Sequence, residues 1–141
     1  LVVNEGLVHV LNVALGATAK PAGYFLALFS GSTTPAANWT AASFSAVANE
    51  IVSQTEGYTG ATRPAWTPAT ATTGSIDNLA SAAQMTIATS GTLNVTGAAL
   101  LTSSQRGGTT GVLVSASAFA APRVFQAGDL YELGYRLNAT V

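Results

Sequence analysis

The sequence predicts a mainly β protein: an antiparallel β-sandwich, jelly-roll-like, with a short N-terminal helix and a second short helix between its first strands. Three observations carry this. Apolar residues alternate with small or polar ones through most of the second half, the intervening connections are rich in Gly, Pro, Thr and Ser, and strands do not alternate regularly with helices. A length of 141 residues fits a single domain over residues 1–141, large enough to bury roughly two-thirds of its unfolded surface. No internal repeat interrupts that reading.

Residues 5–15 read as the first helix. Asn4 is placed to accept hydrogen bonds from first-turn amides, Glu5 suits the positive helix end, and Gly16 suits the left-handed residue that closes a helix. Leu7, Val10, Leu11, Ala14 and Leu15 form an apolar stripe. Glu5, His9 and Asn12 share the opposite side, and His9 lies where it can pair with Glu5 across one turn. The run "GYFLALF" at 23–29, bounded by Pro21 and Gly31, is short and aromatic-rich, hence a buried strand. Thr40 then caps a helix over 41–51 that carries Phe44, Val47 and Ile51 at helical spacing.

Residues 53–74 hold three glycines and two prolines, which makes a long ordered loop with an edge strand near 63–67. A further loop leads to strands near 83–88 and 93–102. In "GVLVSASAF" Leu113, Ser115, Ser117 and Phe119 face one way and Val112, Val114, Ala116 and Ala118 the other. Pro122 is expected to interrupt this strand, Val124 and Phe125 to form a short one, and Gln126 to Asp129 to turn, with Asp129 bonding turn amides. In the last strand Tyr131, Leu133, Tyr135 and Leu137 share one face, and Glu132, Arg136 and Asn138 the other.

Charged residues make up 8% of the chain, against about 25% in ordinary proteins. With 27 Ala, 19 Thr and 12 Ser, the exterior must be largely neutral, and little repulsion keeps copies apart. Such a surface reads as one meant to be covered by neighbours; the bland alternative is the Thr/Ser-rich skin of an extracellular or abundant monomer. The formal net charge is −1 and the five basic residues are scattered singly, so nucleic acid is not an expected partner. Without cysteine there is neither disulfide nor thiolate metal site. No stretch approaches the ~18 apolar residues of a membrane span, and the opening, with Asn4, Glu5 and His9 and no basic flank, does not read as a signal peptide.

Catalytic signatures are missing as well. His9 is the lone histidine, no Gly-x-Ser-x-Gly elbow occurs, and the six carboxylates form no evident acid/base pair, so no catalytic residue, cofactor or metal is expected. Trp39, Tyr58 and Trp66 lie in loop-like stretches. Such rings are either plugs beneath a loop or anchors in a partner's pocket. The candidate contact residues are therefore Trp39, Tyr58, Arg63 and Trp66 from these stretches, with Glu5 and His9 from the helix. A sugar-stacking platform on Trp39 or Trp66 and a weak hydrolase dependent on His9 are the rival readings.

Three stretches together carry a resemblance: "VNEGLVHVLNVALG" running into "GYFLALFSG", "ANEIVSQTEGYTGATRPAWTP…GSIDN", and "VFQAGDLYELGYRLNA". In this order, over most of the chain, they resemble a family of small virion proteins of tailed bacteriophages, the capsid decoration or cement proteins. The resemblance implies a β-sandwich or jelly-roll-like subunit on the capsid exterior. It would act as a homo-oligomer, dimer or trimer, that staples neighbouring major capsid protein subunits against internal pressure. A phage tail or fibre component would have a similar composition.

Overall fold

The runs "LALF" and "GAALL" are apolar at every position because both of their faces are covered. Leu26, Leu28, Ala98 and Leu100 enter one core cluster, whereas Ala27, Phe29, Ala99 and Leu101 enter a second one on the other side of the same sheet. The structure, a computed structural model, describes residues 1–139. Its strands are β1 (Tyr24–Phe29), β2 (Gly57–Tyr58), β3 (Ala65–Trp66), β4 (Ser75–Asp77), β5 (Ala83–Ala88), β6 (Thr92–Leu101), β7 (Leu113–Gln126), β8 (Leu130–Leu133) and β9 (Arg136–Asn138). The helices are α1 (Asn4–Ala14) and α2 (Ala41–Ala48), with one 3-10 turn at Leu79–Ser81.

All strand pairings are antiparallel. The order β3-β1-β6-β7 makes the main sheet, β2-β5-β8 a second, and β4-β9 a two-stranded ribbon. The first two sheets enclose the larger core, where Leu26, Leu28 and Val95 meet Tyr58, Met85, Ile87 and Tyr131. α2 covers the outer face of the main sheet through Phe44 and Ala48, together with Trp39 from the preceding loop. The architecture is the antiparallel sandwich the sequence predicts, with a helical layer added. Gly97 of β6 leaves room for the Phe29 ring, whose tip lies 2.2 Å from where a Cβ would stand.

Several local expectations change. α2 ends at Ala48 rather than near residue 51, because Asn49 takes the left-handed conformation (φ 54°). Thr40 does cap it: the Ser43 amide donates to the Thr40 hydroxyl, and the Thr40 amide to the Ser43 hydroxyl. Pro122 does not break β7. It sits where Val95 pairs with Arg123 but Gly97 with Ala118, an excess of residues on β7 that forms a bulge, one of the few strand positions a proline tolerates. A second shift leaves Val114 unpaired between Leu101↔Leu113 and Leu100↔Ser115. The strict alternation expected along this strand therefore slips, and Leu113 and Ala116 lie on the α2 side together. β4, read as loop in the sequence, pairs with β9 through Ile76↔Leu137. The final run, expected as one strand, divides at Gly134 and Tyr135 into β8 and β9; of the residues read as sharing one face, Tyr131, Leu133 and Tyr135 are buried and Leu137 is half-buried.

Candidate interaction surface

α1 is mounted with Glu5 and His9 turned inward, while Asn12 of the same polar side stays exposed. Its only buried residue is Gly6, which lies so close to β7 that a Cβ there would stand 2.0 Å from the Val114 carbonyl oxygen. Beside it Glu5 points into the domain, where one carboxylate oxygen accepts from the backbone amides of Ala41 (2.8 Å) and Leu113 (2.7 Å). Glu5 thus joins α1 to the first residue of α2 and the first residue of β7. His9, also on the inner side, shares a hydrogen bond of 3.0 Å with the Tyr24 hydroxyl. Partial burial holds that phenol above its ordinary pKa, so it stays neutral. The pairing of His9 with Glu5 expected from their spacing does not form, because backbone amides of two other elements claim the carboxylate.

Two end signals also differ. Val3, with no side-chain cap, precedes the helix in place of the expected Asn4 cap, and the Asn4 amide donates to Ala37 O. Gly16 is not among the left-handed glycines; the Leu15 and Gly16 amides both donate to Leu11 O.

The consequence lies on the other side. Leu7, Val8, Val10, Leu11 and Leu15 are 45–85% exposed, and Leu1 is 58% exposed. All five residues of the stripe read from the sequence, Leu7, Val10, Leu11, Ala14 and Leu15, are exposed to solvent. Between α1 and the β4–β9 ribbon runs an apolar groove, formed by adjoining cavities of about 560 and 420 Å³ that share Val10, Ile76, Val114 and Leu137. Largest exposed apolar patches on ordinary monomers reach about 300–600 Å² and mark contact sites; this helix and groove belong to that class.

Four of the expected contact residues are not at the surface. Trp39 is 5% exposed and packs edge-on against Phe29. Trp66 is 7% exposed and donates its indole N–H to Tyr135 O at 3.1 Å. Tyr58 is buried in the main core with Arg106 stacked over its ring at 3.5 Å. Burial pushes its phenol up to about 12, against the opposing charge of Arg106. Arg63 is fully enclosed: Nε and Nη2 donate to the two oxygens of Glu50 (2.7 and 2.9 Å), and Nη1 to Ser103 O. Tyr58, Arg63 and Trp66 are plugs and clamps of the 53–74 loop, and Trp39 plugs the loop before α2, because a loop with few apolar residues must tie its backbone down by buried rings and ion pairs.

Sequence reasoning passed over Glu50, Arg106 and Asn78 in these roles. Arg106 donates to the carbonyls of Ile51, Ser53, Tyr58 and Gly60. Asn78, with no exposed surface, bonds Leu133 O and the Tyr135 amide. The one available signal was arithmetic: with so few charges, each tends to be used. Asp77 pairs with Arg136, Gln84 donates to Glu132, Glu56 accepts from Thr89 and Ser90, and Asp129 accepts from the Gln126 amide. Those hydrogen bonds hold the Glu56 carboxyl below its ordinary pKa, and a backbone bond from Leu79 does the same for Asp77.

Among the described residues no three His, Asp or Glu side chains gather about one point, and no helix is long and apolar enough to cross a membrane. No protein-family model and no curated protein matches this chain.

Proposed function

We propose that this chain is a non-catalytic virion subunit that decorates the outside of a tailed-phage capsid, binding major capsid subunits and copies of itself. The sequence resemblance supplies the setting. The observation that carries the assembling role is the inside-out mounting of α1, which turns the stripe Leu7, Val8, Leu11 and Leu15 to solvent while Glu5 and His9 are consumed inside. A stripe so placed is stabilised only when another surface covers it. The outward side of α1 carries no charged residue, which supports the same reading, since a neighbour can pack on it without desolvating ions. Many copies on a shell then hold by avidity, each contact contributing modestly. The sugar-platform reading loses its support here, because both indoles are buried.

The test is to view intact particles by electron microscopy with a gold-labelled antibody against the chain. Label distributed across the shell is expected. Label confined to one vertex would replace this reading with that of a tail or fibre component, and particles without label would overturn the virion assignment.

A further inference from the structure

We infer that the outward seam of α1 is the contact between copies of this chain, the helix of one subunit packing against the same helix of a second. This rests on the reading of the chain as an assembling subunit and names which surface meets which partner.

The seam has a specific form. Asn4, Val8, Leu11 and Leu15 follow one another at steps of 4, 3 and 4 residues, and all four are exposed. That alternation lines one side of a helix with knobs that fit a partner helix inclined about 20° to it. What the seam calls for is a second apolar helix. α2 offers no comparable seam, since Phe44 and Ala48 are fully buried beneath it and Val47, 38% exposed, is its one large apolar residue at the surface. α1 of another copy can, and two such helices related by a two-fold axis present each seam to itself, as an isologous interface requires. A lone asparagine at one end of the seam, here Asn4, is the kind of polar residue that fixes register in such pairs.

Charge and area agree. The exposed positions of α1 are Asn4, Leu7, Val8, Val10, Leu11, Asn12 and Ala14, and its C-cap Leu15 is exposed as well; none of them is charged, so two copies approach without repulsion. At the exposures found, Leu7, Val8, Leu11 and Leu15 present on the order of 450 Å², within the range for a monomer's patch. Asn4, Asn12 and Ala14 bring the face towards the ~800 Å² per partner of a standard specific interface. A contact made this way is indifferent to salt, because no exposed ion pair contributes to it.

The experiment is light scattering on the full chain across concentration and salt, beside a variant carrying Leu11→Glu and Leu15→Glu. Both positions are more than half exposed in the subunit, and circular dichroism verifies that the variant is folded. The unaltered chain is expected to self-associate equally at low and high salt, and the variant to associate about 100-fold more weakly or not at all. Because the chain has no cysteine, a single thiol reports contact directly. Leu11→Cys treated with a short bis-maleimide should link copies in high yield. Thr92→Cys, at the end of β6 remote from Leu101 and its partner Leu113, should not. A monomer at every concentration overturns the inference, as does an oligomer that survives both glutamates, or equal linking at Thr92. A monomer in solution with label still spread over the shell would remove self-pairing and leave decoration standing.

Discussion

α1 and α2 are short helices of similar chemistry that meet the same sheet in opposite ways. α2 turns Phe44 and Ala48 into the domain and carries a reciprocal cap at Thr40 and Ser43. α1 has no side-chain cap, buries only Gly6, and turns Glu5 and His9 inward. The difference teaches that an apolar stripe specifies burial against something without naming the covering surface. For α2 that surface is the main sheet; for α1 backbone contact and a carboxylate fix the inner side, and the stripe is left for another surface.

The comparison is broken most strongly at α2. Phe44→Ala removes a fully buried ring between Phe29 and Trp39 and should cost about 3–5 kcal/mol of subunit stability by urea denaturation. Glu5→Ala comes next. It strips the amides of Ala41 and Leu113 of their acceptor, with an expected loss of about 2–4 kcal/mol at the 1–3 kcal/mol of each unsatisfied buried group. Hydrogen exchange at those two amides should quicken in the same variant, and unchanged exchange would mean the carboxylate does not hold them. Gly6→Ala forces a methyl against the Val114 carbonyl and should cost about 1–3 kcal/mol as α1 lifts from β7. Leu11→Ala sharpens the contrast from the other end. Measured on the dissociated subunit it should change stability by no more than about 0.5 kcal/mol, while measurably weakening self-association. A loss comparable with that at Phe44 would mean that the stripe is covered within the subunit after all.

Much of this fold was legible because period-two and doubly buried patterns leave little choice. β1, β5 and β6 fall where alternation or continuous apolar runs place them, the edge strand at Ala65–Trp66 falls within the expected stretch, and Thr40 announces α2. The orientation of α1 was not legible, since helical periodicity divides a helix into sides without saying which faces the sheet. What decides it is Gly6 against Val114, a contact between residues 108 positions apart. The loop rings show the same limit. Trp39, Tyr58 and Trp66 were recognisable as plug or anchor, but only the tertiary partners Phe29, Arg106 and Tyr135 make them plugs. Glu50 and Arg63 lie 13 residues apart with no helical or strand register between them, so their pairing carried no local signature. The bulge at Pro122 escaped notice because a proline marks either the end of a strand or an irregularity within it.

The attachment of the N-terminal segment bears on how the subunit would carry force. Leu1 and Ala116 exchange two backbone hydrogen bonds, the Val3 amide donates to Val114 O, and Glu5 holds Leu113 and Ala41. The links to Leu113, Val114 and Ala116 run side by side along the β7 edge. A tug on α1 directed along that strand strains them simultaneously, in shear, instead of unzipping them one after another. The main sheet then takes up the tension through the full β6–β7 ladder, so a subunit gripped by its first helix behaves as a rivet whose shank is a β-sheet.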